Sequence, residues 1–545
     1  MTNSKKVLLS SVCKPFGVKY GDGFGVTAEG THQIMWAQGV FRYRATTTQW
    51  GIDFIAANLK TPTVTLHYPT MKQFIAEIKK GYDYIGIAFI SATFHKMLPM
   101  IDAIKKYAPQ AEIVLGGYGT VIRDDLTKYA DHVCKGEGVS FMRKLLDEPQ
   151  DSPIVQPDVT QKSTLFSIPL PSETAYIFAG LGCPNGCDFC ATSHYFNQKH
   201  IKFLPNGQSI LSAIHDTRRK HPHIDKFWIN DEDFLLNYER GHGFLEAIRA
   251  SDLPPLSISC FGSVKGLSQY SAADLVEMGI DWVWVGYEGK RSGYKKLVGK
   301  THAELFEDFH NHGISVLASM IIGFDYQTPE IIQEEFEELL SLRPSMCQFL
   351  IYGPPFGTPL YERLEKEGRL DDEVMSDNRK HDGFTLGFHH PSIGRKEMSA
   401  IQQRLYRQEF ERLGPSVFRV VENMIMGYKN LKNHERPRVR DKARQIAIDA
   451  HATLPLISTS RKWVNAQTAV WLSNLQTRIE LETGPMTRKE KLISYMAPAM
   501  IRYTDFKLRH DINQQAEFTK KEFRMSVKKK AIAKEISSEE CIQTT

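Results

Sequence analysis

The chain has 545 residues, is 42% apolar and carries a formal charge of +5. That length and apolar share suit about two to four globular domains with ordinary cores. No apolar run approaches the roughly 18–20 residues of a membrane span, the N-terminus does not read as a secretory leader, and eight cysteines are too sparse for a disulfide framework, so a reducing, cytoplasmic setting is expected.

Residues 1–148 alternate short apolar strands with helical stretches, the pattern of a doubly wound parallel sheet. Residues 21–25, Gly-Asp-Gly-Phe-Gly, read as a loop, and residues 49–59 predict a helix. A buried strand is predicted over 84–90, a helix over 97–107, and a second strand over 111–117 that ends in a glycine pair. A third, at 132–134, runs into Gly136-Glu137-Gly138. Glycines at the carboxyl ends of parallel strands either turn the chain or let a ligand reach the backbone. Residues 149–173 are rich in Pro, Asp, Gln and Ser and predict a linker.

Residues 174–179 predict a strand running directly into Gly182-Cys183-Pro184-Asn185-Gly186-Cys187-Asp188-Phe189-Cys190. Three thiols at C-x3-C-x2-C spacing form a soft, anionic metal site. An iron–sulfur cubane usually takes four cysteines, so three leave one iron open. A zinc site completed by His194 is the competing reading. A loop at the carboxyl end of a strand is where α/β barrels hold their chemistry.

Strand–helix alternation continues to about residue 370, with strands predicted at 174–179, 226–230, 256–261, 282–286, 315–322 and 347–352. Asp231 and Asp233 follow the second of these; a carboxylate there either meets a ligand or caps a helix. Residues 385–545 show helical periodicity and little strand character, with amphipathic helices at 401–413 and 463–479. Trp471, Leu475 and Ile479 share one face, for packing or for lining an apolar cavity. His381, His389 and His390 form a histidine-rich stretch, either a surface loop or a proton-transfer site. Residues 431–545 hold 22 Lys and Arg against 13 Asp and Glu, and include Lys528-Lys529-Lys530. This basic end suits a solvated tail or an anionic membrane surface. No aromatic-interleaved basic motif accompanies it, so nucleic acid is not an expected partner.

Taken together, the cysteine spacing, the strand before it and Phe189 before the last cysteine resemble the radical S-adenosylmethionine (SAM) superfamily. The motifs at 85–91, 114–120 and 134–138 resemble the cobalamin-binding domain that precedes many of its barrels. Tyr352-Gly353-Pro354-Pro355-Phe356-Gly357-Thr358-Pro359-Leu360 resembles a loop that closes the barrel in cobalamin-type members. The resemblance implies an α/β fold of four parts: a Rossmann-like domain over 1–148, a linker over 149–173, a partial (β/α)6 barrel over 174–384 and a helical region over 385–545. It implies a [4Fe–4S] cluster on Cys183, Cys187 and Cys190, and SAM near Phe189, Asp231, Asp233, Ser259, Glu288 and Ile322. Cobalamin is implied at Ser91, Thr93, Gly116, Gly117, Gly119, Gly136, Glu137 and Gly138. The D-x-H-x-x-G motif that supplies a cobalt ligand elsewhere is absent, and Gly289 stands where the family's "G-x-E-S" strand has Ser. Tyr352 and His389 are the implied substrate contacts. The implied activity is oxygen-sensitive methyl transfer to an unactivated carbon of a lipid or isoprenoid-like substrate. A reductase or flavodoxin-type protein would supply electrons, and the basic C-terminus would touch a membrane. Ring closure or carbon–carbon coupling on a lipid or tetrapyrrole without cobalamin is the alternative reaction, and a non-catalytic zinc-binding protein is the alternative outside enzymes.

Overall fold

The computed structural model describes residues 5–13, 34–45, 49–289, 291–510 and 518–524; the loop at 21–25 and the lysines at 528–530 lie outside these. The chain falls into two compact units. One comprises Met1–Phe16, Thr48–Pro157 and Gln515–Thr545; the other comprises Gly17–Thr47 and Asp158–Gln514.

The first unit is built on a parallel sheet of β1 (Val7–Ser11), β2 (Thr63–His67), β3 (Tyr84–Ala88), β4 (Glu112–Gly116) and β5 (His132–Val133). β1 lies between β2 and β3, and β4 and β5 extend the sheet beyond β3. This 2-1-3-4-5 order is that of flavodoxin-like sheets, which bind ligands outside the carboxyl ends of their strands. Val7, Leu8, Ile85 and Leu115 are fully buried, as strands covered on both faces require. Helices Trp50–Ala57 and Phe94–Tyr107 form where the periodicity predicted them.

The strand Thr519–Phe523 runs antiparallel beside β2, pairing Thr519 with His67 and Phe523 with Thr63. The sequence reading expected only helix in this stretch. Thr-Lys-Lys-Glu-Phe is too polar to announce a strand, but charged residues are what an edge strand tolerates. Lys521 Nζ reaches Asp53 Oδ2 at 2.7 Å, and His67 Nε2 and Thr65 Oγ1 meet Asp53 Oδ1 at 2.8 and 2.7 Å. Burial raises the Asp53 carboxyl, but the His67 and Lys521 contacts outweigh it and hold it below the usual carboxylate range.

The second unit carries six parallel strands in chain order: β6 (Thr174–Phe178), β7 (Lys226–Asn230), β8 (Ser257–Phe261), β9 (Ile280–Glu288), β10 (Ser315–Ile322) and β11 (Met346–Ile351). These are the six predicted strands, and they form the partial barrel. Alternate residues such as Ile229, Cys260, Val285 and Ala318 are buried beneath the surrounding helices. Their neighbours Trp228, Ser259 and Trp282 stand side by side in register on the opposite face. The expected linker is partly structured: Thr160–Gln161 adds an antiparallel strand beside β6, pairing Gln161 with Thr174. Tyr176 fixes it, its hydroxyl donating to the Gln161 side chain and its amide to the Val159 carbonyl. After the barrel the chain is helical from Arg395 to Arg509. Leu472, Leu475 and Ile479 are fully buried against Phe418 and Val421, and Trp471 lies beside them, so this face packs.

Asp53 supplies a stability test. Asp53→Ala leaves His67 without its partner and is expected to cost roughly 3 kcal/mol at pH 7, as for a broken buried pair. Lys521→Ala, whose ammonium is partly exposed, should cost about 1 kcal/mol. Because the folded-state pKa of Asp53 is lowered, its contribution is full above the unfolded value near ~4 and disappears as pH falls below it. Urea unfolding at pH 7 and at about pH 3.5 measures both differences.

Candidate active site

The cysteine loop leaves the carboxyl end of β6 through Gly180 and Leu181, which pair antiparallel with Ile201 and Lys202. Gly182 has φ +82°, and a Cβ there would lie 2.3 Å from the Lys199 carbonyl oxygen, so only glycine fits. Inside the loop, Ser193 Oγ donates to the Cys183 carbonyl at 2.7 Å and accepts the Gly186 amide at 3.2 Å. The Cys190 amide donates to the Cys187 carbonyl at 3.0 Å.

Two side chains of the loop tie it to the barrel. Asn185 Nδ2 donates to Cys183 Sγ at 3.2 Å and to Asp233 Oδ2 at 3.0 Å, while Asp233 Oδ1 accepts the Ser263 amide at 2.9 Å. Asp188 accepts the hydroxyls of Tyr294 and Tyr352 at 2.6 and 2.8 Å, and its carbonyl accepts the Leu360 amide at 3.1 Å. The loop of residues 353–360 is therefore fastened to the cysteine loop. Phe189 packs edge-on to Tyr294 and Tyr352.

The donor set favours a cubane over zinc. His194 Nε2 donates to the Cys187 carbonyl at 3.0 Å, so the ring is turned onto the loop backbone. A cubane takes one thiolate at each of three iron corners, which the three cysteines supply without His194. Burial pushes the Cys183 thiol up to about 11 and the Cys187 thiol to about 12, so cluster binding must draw off their protons.

The acids beyond β7 divide between two tasks. Asp231 Oδ2 accepts Arg240 Nη1 at 2.7 Å and His200 Nε2 at 3.1 Å, with Arg240 and Asp231 both buried. Burial raises the Asp231 carboxyl, yet His200 and Arg240 hold it below the usual range. Arg240 also donates through Nε to the Leu204 carbonyl at 2.9 Å and through Nη2 to the Ala179 carbonyl at 3.0 Å. Asp231 and Asp233 are thus bound into the scaffold. Glu232, between them, has its Oε2 buried with no hydrogen-bond partner. Burial and neighbouring Asp231 push its carboxyl up to about 7. Sequence reasoning named Asp231 and Asp233 and passed over Glu232 between them.

The remaining expected contacts fall as follows. Glu288 ends β9 at φ +62° and forms a buried ion pair with Lys296. Lys296 Nζ also lies 5.6 Å from the centre of the Phe189 ring. Burial lowers the Lys296 pKa, but Glu288 and the nearby thiols raise it above its ordinary value. Nothing in the sequence marked Lys296; it sits on a short 3-10 turn eight residues past Glu288. A Cβ on Gly289 would lie 2.5 Å from the Tyr326 hydroxyl, so the serine of the resembled motif has no room here. Ser259 stands beside Trp228 and Trp282, two residues before the end of β8. Ile322 is fully buried; Leu317, Ser319 and Ile321 alternate to the other face of β10. The two expected substrate contacts have the following surroundings. The Tyr352 hydroxyl is committed to Asp188, and His389 is exposed, held by backbone bonds to Arg369 where Leu370 bridges Phe388.

In the first unit, the expected cobalamin residues occupy loops after β3, β4 and β5, which are adjacent strands. Ser91–Thr93 is a 3-10 turn in which the Thr93 hydroxyl bonds the Ile90 backbone. A Cβ on Gly117 or Gly119 would collide with Phe89, and one on Gly138 with Ile55, so packing dictates these glycines. A Cβ on Gly116 would make only an ordinary contact with Cys134, at 3.8 Å, and one on Gly136, at φ +118°, would meet nothing within 4 Å. Glu137 caps the helix Gly138–Leu145 through the amides of Val139 and Ser140. Open glycines at the carboxyl edge fit a bulky ligand approaching the backbone.

No protein-family model matches the chain. An uncharacterized methyltransferase of Pyrococcus horikoshii is 22% identical over 331 residues, covering 53% of this chain and 71% of its own. The bacteriochlorophyllide d C-12(1)-methyltransferase of Chlorobaculum tepidum is 22% identical over 54% of this chain and 68% of its own. The hopanoid C-2 methylase of Rhodopseudomonas palustris is 21% identical over 61% and 64%. Among solved structures, the radical S-adenosylmethionine methyltransferase TsrM from Kitasatospora setae, with cobalamin and a [4Fe-4S] cluster bound, matches with a TM-score of 0.53. It is 13% identical, and the match covers 82% of this chain and 99% of that one.

Arg240→Ala is expected to cost about 3 kcal/mol, because the buried Asp231 carboxylate loses its guanidinium partner and keeps only His200. The same variant should take up less iron and sulfide on anaerobic reconstitution. Thermal melting and metal analysis read the two effects separately.

Proposed function

We propose that this chain, which has the fold of the radical SAM methyltransferases and carries their three-cysteine loop, transfers a methyl group to an unactivated carbon of a hydrophobic small molecule. The observation that carries this reading is the loop of Cys183, Cys187 and Cys190 at the mouth of the first barrel strand, fastened through Asn185 to β7 and through Asp188 to Tyr294 and Tyr352. When bound, a [4Fe–4S] cluster and SAM would supply a 5′-deoxyadenosyl radical, and a corrinoid the methyl group.

The chain's own residues hold and orient these groups. Cys183, Cys187 and Cys190 take three irons, and the Asn185 amide hydrogen at the Cys183 sulfur favours its thiolate form. Glu232 holds the SAM ammonium with the oxygen that has no protein partner, and Lys296 draws the SAM carboxylate toward the cluster. Phe189 and Glu288 bound the same space, while Asp231, Asp233, Ser259 and Ile322 support it through the strands. The loops of Ser91, Thr93, Gly116, Gly117, Gly119, Gly136, Glu137 and Gly138 would hold the corrinoid. A reductase or flavodoxin-type protein delivers the electron, and the basic C-terminus contacts a membrane. A bacteriochlorophyllide methyltransferase and a hopanoid methylase among the relatives, both named for large apolar skeletons, support a lipid-like substrate.

The test is anaerobic turnover of reconstituted protein with methyl-deuterated SAM and lipid extracts. Deuterium is expected in a lipid product, and serine at any of the three cysteines should abolish 5′-deoxyadenosine formation. Label absent from all products, with 5′-deoxyadenosine still forming, would overturn methyl transfer in favour of ring closure. Glu232→Gln should raise the Kd for SAM about tenfold, the loss of one charge-assisted hydrogen bond.

A further inference from the structure

The described residues include eleven large hydrophobic side chains that are exposed, and six of them sit on one helix, Arg488–Arg509. Of these, Leu492, Tyr495, Met496, Tyr503 and Phe506 are between 50% and 81% exposed. Leu492, Met496, Ala499, Tyr503 and Phe506 recur at spacings of four and three, which places them in one stripe along the helix. The opposite face holds Ala497, Ile501 and Thr504, all buried. The stripe is therefore the outer face of a helix whose inner face already packs.

Its flanks are basic. At ~100° per residue, Lys489 and Lys507 border one side of the stripe, and Lys491, Arg502 and Arg509 the other. The two acids of the helix are occupied: Glu490 closes the capping box with Thr487 and pairs with His451, and Asp505 pairs with Arg509. An apolar stripe with aromatic rings, edged by long cationic side chains, matches a bilayer interface, where rings and methylenes enter the acyl boundary and ammonium groups meet lipid phosphates. A protein partner would need an acidic surface to satisfy the same flanks. No helix among the described residues is long and apolar enough to cross a membrane. We infer that the helix Arg488–Arg509 is an interfacial anchor that lies flat on an anionic bilayer, with Leu492, Met496, Tyr503 and Phe506 inserted.

This deepens the membrane contact proposed above and moves it from the lysines at 528–530 to a folded helix. It rests on that reading only for the lipid; the assay needs neither SAM nor a reductant, so failure of methyl transfer leaves it standing. The full chain is floated with vesicles of phosphatidylglycerol and phosphatidylcholine, and with phosphatidylcholine alone. Binding is expected to the anionic vesicles and to weaken as salt is raised from 0.1 to ~0.5 M. The double variant Met496→Glu/Phe506→Glu should raise the half-binding lipid concentration at least about tenfold with an unchanged melting temperature, since both positions are exposed. Lys528→Glu/Lys529→Glu/Lys530→Glu should retain most of the binding. The inference is overturned if the unmodified protein does not bind. Binding that survives the stripe variant but not the tail variant also overturns it. So does sedimentation showing a dimer that only the stripe variant dissociates, without vesicle binding.

Discussion

The cysteine-bearing end of the barrel hangs on one guanidinium. Arg240 is fully buried, and its three nitrogens bind the end of β6 at Ala179, the segment after the cysteine loop at Leu204, and Asp231 beyond β7. Two charges withdrawn from water are costly unless their geometry is good and their remaining donors are satisfied; here each guanidinium nitrogen has a partner. The consequence runs along the chain after β7. In the turn that follows the strand, Asp231 is taken up by Arg240 and His200 and Asp233 by Asn185 and Ser263, while Glu232 between them keeps an oxygen with no partner. One buried ion pair thus decides which of three consecutive acids is left for a ligand.

Much of this could be read from residue order, and the exceptions have a common cause. The six barrel strands are announced by apolar runs of β-branched and aromatic residues, and the cysteine loop by its glycines. The strand Thr519–Phe523 and the edge strand Thr160–Gln161 carry no such signal: their partners are remote, and an edge position asks little of a side chain. Lys296 was illegible for the same reason, since its significance comes from a turn that carries it back to Glu288 and Phe189. The histidine-rich stretch is divided by its backbone. The bridge between Leu370 and Phe388 buries Phe388 and turns His389 out, while the His390 ring binds the Phe324 carbonyl and the amides of Ser392 and Ile393. Neighbours in sequence were separated by the alternation of an extended chain.

The departures from the resembled motifs also have local explanations. Gly289 is forced by the Tyr326 hydroxyl, which with Gln327 binds Glu335. A polar network therefore fills the place of the serine, rather than a vacancy. In the first unit, glycines that look alike in sequence do different work. Gly117, Gly119 and Gly138 let neighbouring segments close against Phe89 and Ile55, and only Gly116 and Gly136 leave room beside the backbone.

The pairing of Thr519–Phe523 with β2 has a consequence for biosynthesis. β2 leaves the ribosome while its partner strand, more than 450 residues behind it, is still unmade. Through the synthesis of the whole barrel and its helices, β2 presents an unpaired edge, and Asp53 waits for the lysine that neutralises it. The sheet is thus completed only after the barrel and its helices, and a nascent chain stalled inside the helical region would carry it open.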